Sequence, residues 1–206
     1  VQKVRESAAR INVELGEGSD LAQLNFEGVD LLDLDLNAGG GDDGALIGLL
    51  LPAVQKVRAA AARMNVDLGE GNDFFQLNAE GLNLLDFDLT AGAGGDSVLI
   101  GMLLPAVQKV RQAAARMNVD LGQGNDQFQW NAEGLQMLDL DLAAGPGEDG
   151  VLIGLLLPAV QKVRQAAARM KIDLGEGADR LLVRTAGYDI VDIALGEFDP
   201  NDTIDI

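Results

Sequence analysis

From Asn65 onward, polar and apolar residues take turns along the chain. Val66 and Leu68 alternate with Asn65 and Asp67, and Phe75, Leu77 and Ala79 with Gln76 and Asn78. Leu85, Phe87 and Leu89 alternate with Asp86 and Asp88. A period of two places successive side chains on opposite faces of a strand, so these stretches predict three strands with one face buried. Gly69–Asp73, the region of Gly81 and Ala91–Asp96 punctuate them as turns. Val98-Leu99-Ile100 follows, and reads either as a fourth short strand or as an early start to the next helix. Ahead of the strands, Leu51–Met64 has a helical period: Val54, Val57, Ala61 and Met64 form one apolar stripe, away from Lys56, Arg58 and Arg63. Pro52 stands in the first turn, where its missing N–H is tolerated.

This pattern recurs without insertion or deletion. The segment VQKVR begins at Val1, Val54, Val107 and Val160, an offset of 53 residues each time. The units are 1–53, 54–106, 107–159 and 160–206, and the second and third differ at 12 of 53 positions. A 53-residue unit without disulfide or metal has too small a core to stand alone, whereas stacked units share one. The expectation is one four-unit domain of α/β repeat class. It is a parallel β-solenoid with three or four short strands and one α-helix per 53-residue coil.

Stacking at this offset predicts columns of like residues. Leu24, Leu77, Trp130 and Val183 would form one inward column, and Leu34, Phe87, Leu140 and Ile193 another. Asn12, Asn65 and Asn118 would form an amide ladder, as would Gln23, Gln76 and Gln129. Asp33, Asp86, Asp139 and Asp192 would stack directly, and so would Glu14, Asp67, Asp120 and Asp173.

Composition narrows the chemistry. The 206 residues include no His and no Cys, which removes the usual zinc ligands, disulfides, and Cys or His catalysis. A formal charge of −18 argues against nucleic acid, whose phosphates need a basic partner. Twelve of the 15 basic residues, beginning with Lys3, Arg5 and Arg10, fall in the predicted helices, leaving an acidic β portion beside a basic helical stripe. The longest apolar run, Ala45–Val54, contains Pro52 and is too short to span a bilayer. Carboxylate pairs could serve as acid and base, but they recur in every unit, whereas a catalytic site is a unique constellation; no enzyme is expected.

Two resemblances add to this reading. Leu68-Gly69-Glu70-Gly71-Asn72-Asp73-Phe74-Phe75-Gln76 resembles the RTX nonapeptide G-G-x-G-x-D-x-U-x, and Ala91–Leu99 does so equally. The resemblance implies Ca²⁺ held between stacked turns. The candidate ligands are Asp20, Asp73, Asp126 and Asp179 on one edge and Asp43, Asp96 and Asp149 on the other. At Asp202 the glycines are gone. Separately, Val151–Met170, with LIGLLLPAVQKVR at its centre, resembles part of the N-terminal helix of bacterial type IV prepilin-like proteins. That family's upstream cleavage site and hydrophobic anchor are absent, so the resemblance implies a reused helix rather than a membrane anchor.

The fourth unit diverges, with Arg180, Arg184 and Tyr188 breaking the pattern, as a terminal cap would. The first begins at Val1 inside the predicted helix, as expected of a processed chain or of a piece of a longer array. Together these features point to a non-enzymatic scaffold, exported to a bacterial surface or the extracellular space and stabilised by calcium. Its partner would be itself, head-to-tail or laterally. The alternatives are a binding module for an extended polymer such as a glycan, and an engineered consensus array.

Overall fold

The computed structural model describes residues 8–50, 61–82, 84–103, 114–156, 166–188, 190–196 and 199–206. Within them the alternating stretches form sixteen strands. These are β1 (Ala8–Glu17), β2 (Leu21–Glu27), β3 (Leu31–Gly40), β4 (Gly44–Leu50), β5 (Ala61–Asp67), β6 (Phe74–Glu80), β7 (Leu84–Thr90) and β8 (Ser97–Leu103). They continue as β9 (Ala114–Asp120), β10 (Gln127–Glu133), β11 (Met137–Ala143), β12 (Gly150–Leu156), β13 (Ala167–Asp173), β14 (Arg180–Ala186), β15 (Ile190–Leu195) and β16 (Thr203–Asp205). Odd-numbered strands build one eight-stranded sheet and even-numbered strands a second, each in unbroken order, and every pairing is parallel.

Each coil is thus one odd and one even strand, and a 53-residue unit makes two coils, not one. Successive coils are offset alternately by 23 and 30 residues, as Asp20 to Asp43 and Asp43 to Asp73 illustrate. The expected strands are present, and Val98–Ile100 belongs to β8, which settles that stretch as strand. The stacking between strands differs from the expectation. The strong 53-residue repeat hides a second, weaker similarity between the two halves of each unit, which share little beyond alternation and the glycine turn.

The helix expectation fails where it can be examined. Among the described residues there is no helix, and Ala61–Met64 lies in β5, with Ala114–Met117 in β9 and Ala167–Met170 in β13. Ala62, Met64 and Val66 are buried while Arg63, Asn65 and Asp67 face out, so a seven-residue strand fits this stretch as well as the strands beside it. The rest of the predicted helix, residues 51–60 and its repeats at 104–113 and 157–165, lies outside the described residues, as does most of the prepilin-like segment. The part of that segment that is described, Val151–Leu156 and Ala166–Met170, is strand apart from Ala166. The fold is β rather than α/β over everything described.

The core lies between the two sheets. One inward column runs Leu24, Ile47, Leu77, Ile100, Trp130, Ile153, Val183, and the facing one Leu34, Met64, Phe87, Met117, Leu140, Met170. The inward residues expected at 53-residue spacing do point inward, but each is separated from the next by a residue of the intervening coil. Phe75 and Phe87 meet across the sheets with ring centroids 5.6 Å apart. Burying a side chain of this size stabilises by about 1.5–3 kcal/mol, and the same layers recur in coil after coil.

The outer columns correct the remaining expectations. Asp33 does not stack on Asp86; the column alternates Arg10, Asp33, Arg63, Asp86, Arg116, Asp139, Arg169, Asp192. Arg10–Asp33 and Arg63–Asp86 approach to 3.5 and 3.4 Å. Asn12, Asn65 and Asn118 alternate with Asp35, Asp88 and Asp141, and Gln23, Gln76 and Gln129 with Leu46, Leu99 and Leu152, so neither set forms an amide ladder. Glu14, Asp67, Asp120 and Asp173 are separated by Asn37, Thr90 and Ala143. Arg10, Arg63, Arg116 and Arg169 therefore belong to the β surface beside its acids, not to a separate basic stripe.

Candidate functional site: a buried aspartate column

The turn from odd to even strand carries the glycines and aspartates singled out in the sequence. In Leu68–Asp73, Leu68 enters the core and Gly69 and Gly71 take positive φ, which lets the backbone reverse within a few residues. The glycines are also a packing requirement. A Cβ on Gly94 would overlap the carbonyl oxygen of Gly71, and one on Gly71 that of Gly41. Backbone hydrogen bonds lace the turns together: the Gly71 amide donates to Ala93 (2.8 Å) and the Gly94 amide to Gln123 (2.7 Å).

Because each 53-residue unit is two coils, the two sets of aspartates expected on opposite edges form a single column on one edge. The Asp20 amide donates to Oδ1 of Asp43, Asp43 to Asp73, Asp73 to Asp96, Asp96 to Asp126, Asp126 to Asp149 and Asp149 to Asp179, each at 2.8 Å. The Asp179 amide completes it on Asp202 at 3.0 Å. Asp43, Asp73, Asp96, Asp126, Asp149 and Asp179 are all at least 96% buried. Their Oδ1 atoms are engaged, while Oδ2 of each of the six is buried with no hydrogen-bond partner. Burial pushes the Asp73 carboxyl up to about 6, helped by neighbouring Asp96, Asp43 and Asp42, and Asp149 up to about 7. Asp96, Asp126 and Asp179 are raised for the same first reason, loss of solvent.

A second column, missed in the sequence, runs alongside through the residue preceding each aspartate. Asn72 donates its backbone and side-chain N–H groups to Oδ1 of Asp42 (2.8 and 3.1 Å), and accepts from the Gly95 amide (2.9 Å). Asn125 accepts from the Glu148 amide at 2.9 Å. These bonds hold the Asp42 carboxyl below its usual range. The repeated Asn-Asp pairs at 72–73 and 125–126 were the available signal. At the last turn, where glycine is gone, Asp202 spends its Oδ2 on the Asp199 amide (3.0 Å), and Asp199 accepts from Asn201.

The structure brings all seven candidate calcium ligands into this one column. Calcium takes six to eight oxygens around one point, whereas these carboxyls sit one per coil, spaced as strands are, with Oδ1 given to a backbone amide. Among the described residues no three acidic side chains converge as a metal site. The carbonyl oxygens of Gly41 and Gly71 lie against Gly71 and Gly94 of the next coil. Chemically the arrangement is a hydrogen-bonded spine that satisfies one amide per coil.

A second feature lies on the outer face of the even-numbered sheet. There Asn78 and Asn131 lie against Gly101 and Gly154 of the next coil. A groove of about 420 Å³ opens over Gly101, Leu103, Asn131, Gly154, Leu156 and Arg184. No helix among the described residues is long and apolar enough to cross a membrane. Set against known proteins, the chain matches no family model, no curated protein and no solved structure.

Proposed function

We propose that this chain is a non-enzymatic scaffold, a stiff solenoid block whose task is to hold a surface in fixed register and to associate with further copies of itself. The observation that supports this most directly is the regularity of its polar groups. The Arg–Asp column, the Asn–Gly column and the buried aspartates recur from coil to coil, and each is spent on a neighbouring coil. Catalysis calls for a few groups placed differently from the rest. Stacking calls for the same group at every step. Sedimentation equilibrium across salt concentrations tests the reading: reversible, salt-dependent association supports it. A monomer at high concentration and low salt removes self-association from it.

The groove favours a second reading, a binding module for an extended polymer. Asn131, Gly101 and Gly154 line it among apolar neighbours such as Leu103 and Leu156, and Arg184 stands where earlier units carry Asn25, Asn78 and Asn131. A polysaccharide array, with Arg184→Asn as control, decides it. Binding lost in the variant would establish the groove as the contact, and no binding to any polymer would leave the scaffold reading.

A further inference from the structure

The two outer faces of the solenoid are unlike. On the odd-numbered sheet, charged side chains face out in every coil, as Arg63 and Asp67 do in β5 and Asp86 and Asp88 in β7. On the even-numbered sheet, strands β2 to β12 turn out only Glu27, Glu80 and Glu133, each at a strand end. Leu50, Leu103 and Leu156 stand exposed beside these glutamates, as do Leu21 and Phe74 at the strand starts. Exposed apolar surface rimmed by polar groups marks an interaction site.

The relief of this face alternates with the coils. Asn25, Asn78 and Asn131 stand up, and Gly48, Gly101 and Gly154 leave hollows between them. On either side of that row, Gln alternates with Leu and Glu with Leu at the same two-coil period. Such a face is complementary to itself. A second copy turned over about an axis parallel to the strands, between β6 and β8, meets it with coils of the opposite kind. β2 then faces β12, β4 faces β10 and β6 faces β8. Every Asn enters a Gly hollow, every Gln lies on a Leu, and no Glu meets a Glu. At the strand starts, the bulky Leu21 and Phe74 face Gly150 and Ser97.

We propose, resting on the reading of the chain as a self-associating scaffold, that this face joins two copies in a closed, antiparallel dimer. The even sheets meet and the charged odd sheets face outward. The groove over Gly101, Asn131 and Gly154 is then the room that the second copy's asparagines fill. The size is adequate. Seven-residue strands about 4.8 Å apart, rising about 3.3 Å per residue, cover about 670 Å² from β2 to β12. The pair thus buries about 1,300 Å², within the range of specific interfaces. The odd sheet alternates too, but mating it would strip water from Arg and Asp in coil after coil, at a cost their attraction does not reliably repay.

Sedimentation equilibrium of the full chain at physiological ionic strength tests this, with circular dichroism confirming that each variant folds. The parent should form a reversible dimer and nothing larger, because a two-fold interface closes on itself. Leu103→Glu sets a carboxylate opposite Glu80 of the partner subunit. It should weaken the dimer on the order of a hundredfold, about tenfold for each of two such contacts. Leu103→Lys meets the same glutamate with the opposite charge and should stay within about tenfold of the parent. Gly101→Lys fills a hollow and should give a monomer. Its Cβ would come 3.1 Å from Oδ1 of Asn78 in its own chain, an exposed side chain able to move. Leu84→Glu, on the odd face and exposed to 49% against 57% for Leu103, should change nothing. Should Gly101→Lys fail to fold, the exposed Leu103 pair decides. Dimers indifferent to Leu103→Glu, or weakened as much by Leu84→Glu, would overturn this interface and leave self-association standing. Species growing beyond two copies would do the same. Equal weakening by Glu and Lys at position 103 would overturn the antiparallel register. A parent chain monomeric at high concentration would overturn both the interface and self-association.

Discussion

Two adjacent glycines give the sharpest check on how the coils stack. Gly94 has φ of +144°, a conformation L residues seldom adopt, and its Cβ would overlap the backbone carbonyl of Gly71. In Gly94→Ala the backbone conformation alone costs about 1–2 kcal/mol. The overlap must also push apart two turns joined by the Gly71–Ala93 and Gly94–Gln123 hydrogen bonds. Losing those adds about 0.5–1.5 kcal/mol each, so the expected total is about 2–5 kcal/mol. Gly95 differs in both respects. Its φ lies outside the positive region, and its Cβ would come no nearer than 3.3 Å to Oδ1 of the exposed Asn72 and 3.4 Å to the Asn125 carbonyl oxygen, contacts a shift of a few tenths of an ångström relieves. The equivalent residue one unit later is Glu148, so Gly95→Ala should stay within about 1 kcal/mol of the parent, with some gain from a less flexible unfolded chain. Urea unfolding followed by far-ultraviolet circular dichroism, with equal m-values, gives both numbers. Equal losses at the two positions, or a neutral Gly94→Ala, would refute the stacking of turns at alternating 23- and 30-residue offsets. In a 53-residue coil Gly94 would lie over Gly41, not Gly71.

Core and register supply the remaining expectations. Phe75→Ala empties a fully buried site against Phe87 and should cost about 3–5 kcal/mol in the same assay. Trp130→Phe should cost less than about 1.5 kcal/mol despite full burial, because it also removes an indole N–H that has no partner, a group whose burial costs about 1–3 kcal/mol. Removing residues 54–106 deletes two coils and keeps the alternation. Removing only 61–83 deletes one coil but sets Asp33 against Asp86 and Asp35 against Asp88. The shorter deletion should therefore be the more salt-dependent of the two when unfolding is measured at low and high ionic strength.

Most of the strand content was legible because alternation needs no knowledge of neighbours: β6 and β7 follow from Phe75–Ala79 and Leu85–Leu89, whereas the short apolar run Val98–Ile100 of β8 fits a helix start as well as a strand. The aspartates of the turns were legible too, through Gly-x-Gly-x-Asp spacing. What misled was the strength of the 53-residue identity, which made residues 53 apart look like stacking partners. The spacing of the aspartates themselves, 20 to 43 to 73, held the alternative of two coils per unit. At Ala61–Met64 an alanine-rich run has high helix propensity, and the tertiary requirement for a strand in β5 overrides it. Whether an aspartate binds metal or accepts an amide depends on where its oxygens end up, and no spacing specifies that.

The two-coil unit has a physical rationale in the difference between adjacent coils. If every coil repeated the outer face of β3, Asp33 and Asp35 would each sit on another aspartate one strand spacing away. Two such charges about 4.8 Å apart repel by nearly 1 kcal/mol even in water, and by more beside the protein. Pairing β3 with a different coil puts Arg63 and Asn65 there instead. The same alternation places Gly48, Gly101 and Gly154 under Asn25, Asn78 and Asn131. A pair of unlike coils is thus the smallest piece that can be copied repeatedly without setting like against like on these faces. The buried aspartates disregard the alternation, with the same residue at successive coils among the described residues. On the exposed faces solvent and arginine counter the acidic charge. Inside the spine the carboxyls are buried, and each Oδ1 is held by the amide of the preceding coil.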